Sequence, residues 1–445
     1  EHHSQKFKKL IMKKTILLNK RFAGAIILLA VLFIYCKKDD DTVVPPSPKI
    51  TSVTTAGGIS AGPKNSIITI KGSQFITDLS KIQVTVNGKP CELLSATPDS
   101  IKAKIPPYCG TGTVVLIMNG QSFTGPVFTY NYTFTLSSLT NGQVGFVEGP
   151  LATAKFEEFV GITIDANDNI YTSQYSKPRV RKISADSIAS TMAGDGTSGH
   201  VNANGTAAKL GNFDFCASDA AGNIFVADNG YIRKIDVNKN VTDFYTFAAG
   251  INVDGIKVMP SGNIYFHCFS RIGKLTSAGT LTWLAISATG TGDVDGPVGT
   301  AQFSLYGGIE VSSDETKIYV SDWTHGTSSG NKVKLLTNNT ITTIAGKTGL
   351  SGGDGGALNV GFKFITCTLL DKDGGLYIAD GFSGNIKYLK NGQVTTFLGA
   401  GGTGDVDGDI SIGKIAYPHG MVWDSKGNLY ISNAGNNKIK KLTID

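Results

Sequence analysis

The stretch NDNIYTSQYSKPRVRKI, residues 167–183, returns in altered form five more times before the C-terminus. Its relatives read GNIFVADNGYIRKI (222–235), GNIYFHCFSRIGKL (262–275), TKIYVSDWTHGTSSGNKVKLL (316–336), GGLYIADGFSGNIKYL (374–389) and GNLYISNAGNNKIKKL (427–442). The aliphatic residue before the aromatic falls at Ile170, Ile224, Ile264, Ile318, Leu376 and Leu429, so the spacings are 54, 40, 54, 58 and 53 residues. Each unit holds a Gly/Asn turn, an apolar run, a polar turn and a second run in which apolar residues alternate with Lys or Arg, the pattern of two paired strands. A third run precedes the turn, as in Gly161 to Asp165 or Gly420 to Asp424, and a fourth follows the basic one, as in Thr340 to Ala345.

Four short antiparallel strands cannot bury both of their faces alone, and stacking such sheets around an axis solves this. Six units therefore predict an all-β, six-bladed β-propeller over residues 132–445. The last unit stops at Asp445, the end of its third strand, so its fourth must come from elsewhere. Tyr132 to Ser137, just ahead of the first unit, has the right alternation and is expected to close the ring.

The units resemble the NHL repeat family. The shared features are a glycine-led inner strand, a turn ending in Gly-Asn, an Ile/Leu-Tyr-Val/Ile-Ala/Ser-Asp strand and a basic third strand. A Gly-rich segment ending in Ala-x-Phe also recurs between units, as at Gly145 to Phe156 and Gly292 to Phe303. The one Trp-Asp dipeptide, Trp423-Asp424, does not recur from unit to unit, which separates the chain from the WD40 class. The resemblance implies a fold and leaves the chemistry open.

The N-terminal third reads differently. After residues 1–11, Met12 opens a segment with Lys13, Lys14, Lys20 and Arg21, then an apolar run from Phe22 to Tyr35, then Cys36 and a Lys/Asp cluster. Residues 1–35 are thus expected to be an extension plus an export signal, the apolar run being short for a membrane span. The layout resembles a Gram-negative bacterial lipoprotein signal, which implies lipidation of Cys36, a membrane link through that anchor, and an outer-membrane, surface-exposed or periplasm-facing protein. Tyr35 departs from the small residue that such signals place before the cysteine, and an uncleaved signal anchor is the alternative. Residues 36–48 form a polar, Pro-rich tether. Residues 49–131 carry short alternating strands with Asn-Gly and Pro-Pro turns, which predict a small β-sandwich. They resemble the IPT/TIG immunoglobulin-like family in Gly72-Ser-Gln-Phe75 and in the proline-ended strand Ile101 to Pro107. Such a domain is expected to act as a spacer or partner module.

Charge narrows the partners. The whole chain has 41 Lys/Arg against 35 Asp/Glu. Residues 1–35 hold seven of the bases and one of the acids, so the rest is neutral at 34 against 34. A neutral body carries no electrostatic footprint for nucleic acid. The basic third strands are read as a solvated outer face. Of six cysteines, Cys91 and Cys109 fall in the sandwich, where a disulfide and two separate thiols are both open readings.

Gly-x-Ser-x-Gly occurs at 58–62, 326–330 and 349–353, in each case without the following helical pattern that a nucleophile elbow needs, and no His-Glu-x-x-His pair or phosphate-binding loop is present. Aligning the blades on the inner-strand glycine puts Val160, Asp214, Asp254, Gly307, Thr366 and His419 around the channel mouth. Asp214, Asp254 and His419 are the candidate metal ligands there, for calcium or zinc, against the reading of a hydrated polar rim. Tyr175, Phe269, Trp323 and Phe382 follow the second strands on the same face, with His325 in the longer loop of the fourth unit. These five are the candidate contacts for a glycan or protein ligand, since exposed aromatic faces on a concave rim stack on such groups; the other reading has them capping the core between blades. Asp228, Asp322, Asp380, Gln174 and Asn433 recur once per blade and are read as turn-fixing hydrogen-bonders. The two Gly-Asp-Val-Asp-Gly stretches (292–296, 404–408) lack the further acids of a calcium loop and are read as turns. Two functions follow: an envelope lipoprotein that binds a glycan or protein at the mouth with the Ig-like domain as spacer, or a metal-dependent propeller enzyme of lactonase or lyase type.

Overall fold

The computed structural model describes residues 47–288, 292–323 and 331–445. The lipidation candidate Cys36, the export signal, most of the tether and His325 lie outside the described residues.

Residues 49–130 form two facing sheets. One orders Lys49–Thr54, Ile67–Ser73, Ser100–Lys104 and Glu92–Thr97; the other orders Ala61–Gly62, Gln121–Tyr130, Gly112–Met118, Ile82–Val86 and Lys89–Pro90. Alternate residues point inward, and Ile68, Ile70, Val84, Ile101, Val114, Leu116 and Phe128 are fully buried between the sheets. The Gly72–Phe75 motif works through shape: the Phe75 ring folds back onto Gly72, where a Cβ would overlap that ring and the Lys49 carbonyl. Cys91 and Cys109 are free thiols, not a disulfide.

The remaining sheets among the described residues number six, each of four main antiparallel strands. Blade 1 runs from the inner strand Phe159–Ile164 through Ile170–Gln174 and Arg179–Ile183 to Ile188–Ala193. The inner strands of blades 2 to 6 are Cys216–Ser218, Ile256–Val258, Leu305–Val311, Ile365–Leu370 and Pro418–Trp423. Each packs beside the next in sequence order, and the sixth packs beside the first, so the sheets close into a propeller. Closure is made by Phe134–Ser138, which pairs antiparallel with Lys438–Ile444 in the register Phe134↔Ile444 and Leu136↔Leu442. That is the strand expected from the sequence, displaced by two residues at its start.

The basic third strands correct the sequence reading. Arg181, Arg233, Lys334, Lys387 and Lys440 stand at one position of blades 1, 2, 4, 5 and 6, and all five are buried. Their counter-charges come mostly from the Gly-rich segments between blades. Lys334 Nζ meets Asp293 and Asp295, each at 2.9 Å, and Asp322 at 3.4 Å. Lys387 meets Asp354 at 2.8 Å, and Lys440 meets Asp407 at 2.6 Å as well as Asp405. The same acids accept a backbone N–H from the fourth strand: Thr343 to Asp295 at 2.7 Å, Thr396 to Asp354 at 3.0 Å and Ser138 to Asp407 at 2.8 Å. The Gly-Asp-Val-Asp-Gly acids are therefore committed to lysines, which excludes calcium from both stretches. Burial works against the Lys334 charge, yet the carboxylates of Asp295, Asp322 and Asp293 hold its ammonium above the ordinary lysine range. Blade 3 solves the same position without charge: Gly273 leaves room that the Phe266 ring fills.

Candidate ligand site at the channel mouth

Strand register sets the tiers of the channel. Ile162, Cys216, Ile256, Thr368 and Met421 face equivalent residues of their second strands, so Val160, Asp214, Asp254, Thr366 and His419, two residues earlier, share one level at one end of the ring. Blade 4 departs from this. It carries one more residue between Leu305 and Ile309 than blades 1, 5 and 6 carry in Phe159–Ile162, Ile365–Thr368 and Pro418–Met421. The added residue is absorbed as a bulge at Gly307, whose φ of 85° suits glycine and where a Cβ would strike the Thr366 carbonyl. Tyr306, not Gly307, thereby enters the level of the two aspartates, and its hydroxyl donates toward Asp214 Oδ2 at 3.5 Å.

A cavity of about 300 Å³ opens at this end, walled by Tyr175, Phe269 and Tyr306, with Asp214, Asp254 and the asparagines 212, 229 and 252 around it. Asp254 Oδ2 accepts the Gly307 N–H at 3.2 Å. Burial, then the charges of Asp254 and Glu158, push the Asp214 carboxyl up to about 7; burial pushes Asp254 up to about 7 as well. These are the marks of two carboxyls set into one largely dry cavity with no cation beside them among the described residues.

Of the five aromatic candidates, Tyr175 and Phe269, 40% and 38% exposed, line this cavity. Trp323 and Phe382 belong to a second group that Tyr306 joins to the first. Trp323 lies 5.7 Å from Tyr306 and 6.0 Å from Phe364, and Phe382 stacks on Phe364 at 4.7 Å and 22° with 55% of its surface exposed. Tyr417 packs beside Phe382 at 5.5 Å. The mouth thus has its carboxylates and amides on blades 2 and 3, flanked by Tyr175 and Phe269, and is aromatic across blades 4 to 6.

The metal reading does not fit. Among the described residues no group of three His, Cys, Asp or Glu side chains is placed to hold an ion. His419 shares the level of the aspartates but packs between Phe215, 5.2 Å away, and Tyr417, 5.9 Å away. It is 4% exposed, its Nδ1 has no hydrogen-bond partner, and burial pushes it down to about 4, so it is a neutral imidazole. Phe215 occupies the inner-strand position that is glycine at Gly161, Gly255, Gly308 and Gly420. Its ring reaches toward Gly308 of blade 4, where a Cβ would sit 3.5 Å from it, and so fills the channel below the mouth. Inner-strand residues Ala217, Ile256, Leu369 and Met421 continue that apolar filling.

The recurring second-strand residues are hydrogen-bonders, as read. Asp228 Oδ1 accepts the Gly211 N–H at 2.9 Å, Asp322 the Ser304 N–H at 2.8 Å, Asp380 the Phe364 N–H at 2.9 Å and Asn433 the Ala416 N–H at 2.6 Å, while Gln174 donates to the Glu157 carbonyl at 2.6 Å. A second cavity, of about 410 Å³, lies at the other end between blades 1 and 2. Its carboxylate, Asp165, is already taken by Asn167, Asn169 and Tyr171.

Sequence reasoning missed Tyr306, Phe364, Tyr417 and Phe215. Phe364 and Tyr417 were legible, since each sits two residues before a mouth position (Thr366, His419) where Asn212 and Asn252 stand in blades 2 and 3. Tyr306 was hidden by the added residue.

Fold and site together describe a β-propeller with a polar, aromatic-walled mouth, preceded by an immunoglobulin-like sandwich. Residues 48–136 match the IPT/TIG domain. The full arrangement is similar to a solved Bacteroides thetaiotaomicron protein of unknown function, with TM-score 0.65 and 19% identity over 90% of this chain and 99% of that one. It is also similar to an auxiliary nutrient binding protein from the same organism, with TM-score 0.55 and 17% identity over 90% and 98%. Among curated proteins, SUPPRESSOR OF QUENCHING 1 of Arabidopsis thaliana chloroplasts is 22% identical over 69% of this chain, which spans only 27% of that relative's length. Among the described residues no helix is long and apolar enough to cross a membrane.

Proposed function

We propose that this protein is an exported envelope lipoprotein with an NHL-type propeller that binds a glycan at its mouth, the IPT/TIG domain serving as spacer from an anchor at Cys36. The observation that carries the reading is the cavity itself: aromatic faces at Tyr175, Phe269 and Tyr306 surround acids and amides that can bond hydroxyl groups. Ring stacking and amide or carboxylate hydrogen bonds are the two interactions by which a site holds a sugar without a metal. Phe382, held flat by Phe364 and open on its other side, offers a further platform for a longer chain. The auxiliary nutrient binding protein of similar architecture is in keeping with this reading.

A glycan array tests the mouth. Binding of a glycan that is lost in Phe269→Ala and weakened in Trp323→Ala with Phe382→Ala is the expected result, and binding indifferent to all three removes the reading. The anchor is tested separately: incorporation of labelled palmitate in a Gram-negative host is expected for the wild type and absent in Cys36→Ser.

A further inference from the structure

Among the described residues, three carboxylates buried against the blades have a cation in reach. Asp228 has Arg233 at 3.0 Å, Asp322 has Lys334 at 3.4 Å and Glu310 has Lys257 at 2.9 Å. Asp380, which lacks one, is satisfied instead by the Lys363 and Phe364 amides and the Ser383 hydroxyl. Asp214 and Asp254 have neither arrangement. Each receives a single donor on Oδ2, from Tyr306 and Gly307, and among the described residues no donor reaches Oδ1 of either. Among the described residues no Lys, Arg or His lines the cavity that these two carboxylates share. A carboxylate offers about four acceptor sites, so most of this capacity is left for whatever enters.

We infer that the group seated between Asp214 and Asp254 is a protonated amine, so that the mouth takes an amine-bearing sugar; this rests on the glycan reading above and narrows it. An ammonium brings three donors and the missing charge to two unfilled oxygens, and the faces of Phe269 and Tyr306 flank the cavity as aromatic partners for a cation. A neutral sugar fills the same space but leaves the carboxyls to keep their protons, so it gains no charge-assisted contact. A divalent cation lacks a third protein ligand here. The amides of Asn212, Asn229 and Asn252 remain for the hydroxyl groups of the ring.

The test measures binding of D-glucosamine, N-acetyl-D-glucosamine and D-glucose to the full chain at one ionic strength and neutral pH, by calorimetry or ligand-observed NMR. Glucosamine is expected to bind about tenfold or more tighter than the other two, the order of one charge-assisted contact. Asp254→Asn, close in shape, should erase that preference while the melting temperature stays level or rises. Equal binding of all three that disappears in Phe269→Ala overturns the amine and leaves the glycan site standing. Binding indifferent to both Asp254→Asn and Phe269→Ala overturns both readings. No binding of glucosamine at concentrations to about 50 mM overturns the amine, with the array deciding the glycan site independently.

Discussion

The ring of Phe215 in blade 2 lies 5.2 Å from the ring of His419 in blade 6, inside the channel. Blade 1, between them, presents Gly161 at the position of Phe215, where a Cβ would crowd Phe215 Cα at 3.0 Å. One side chain in place of a glycine thus fills the channel between blades 2, 4 and 6.

Phe215→Ala is expected to destabilise the propeller by about 3–5 kcal/mol, the range for emptying a buried aromatic position. The three tryptophans, Trp283, Trp323 and Trp423, all lie in the propeller, so urea unfolding followed by their fluorescence reports this domain alone. A loss under about 1 kcal/mol would mean that the ring does not fill the channel.

Stability should also vary with pH through Asp214 and Asp254. Both carboxyls titrate at about 7 in the folded chain, against about 3.9 when unfolded. The folded state keeps protons that the unfolded chain releases, so their contribution is complete below about pH 4 and is lost as pH rises through about 7. Buried His267 and His419, both pushed down to about 4, pull the other way up to about pH 6.5, so the reading is the difference between proteins: the double variant Asp214→Asn, Asp254→Asn should flatten the wild-type dependence and gain about 1–2 kcal/mol over wild type at about pH 8. An unchanged slope in the double variant contradicts the placement of these acids.

Lys334→Ala leaves Asp295 and Asp322 without a cation around an empty site, while Asp293 keeps Lys332. Breaking a buried charge group by removing one partner costs about 3–5 kcal/mol. Exposed Lys347, which has no ion pair among the described residues, is the control, and Lys347→Ala is expected within about 0.5 kcal/mol of wild type. Similar midpoints for the two variants in urea would show that the third-strand lysine is dispensable.

Leu136, 1% exposed, holds the closing strand against Leu442, which lies at the other end of the propeller sequence. Leu136→Ala is expected to cost about 2–5 kcal/mol and to do so for the whole ring in a single transition. Two separated tryptophan transitions would instead mean that the ring opens at this seam before the rest unfolds.

The strand pattern was legible because alternation is local: IYTSQ or LYIAD shows its buried face within five residues, and spacing of such runs gives the repeat. The closing strand was legible from its own alternation, which Tyr132 to Ser137 shows just ahead of the first unit and outside it. The level of Asp214, Asp254 and His419 also followed from repeat alignment, because register is shared wherever blades have equal length. Blade 4 broke that condition by one residue, and the alignment put Gly307 where Tyr306 stands.

The basic third strands show the limit more sharply. Lys and Arg alternating with Ile or Leu describe a half-solvated strand equally well when the cation is exposed and when it is buried against a partner from another segment. Only folding brings Asp293 and Asp295, some 40 residues upstream, onto Lys334.

The sequence by itself determined the all-β class, the repeat, the closing strand and which residues share a level of the channel, since each depends on periodicity along one chain. Tertiary structure decided which acids were spent on buried lysines and which were left open, that Tyr306 faces Asp214, and that Phe215 fills the channel. Those outcomes depend on distances between separate blades, and ring closure sets such distances only after every blade is in place.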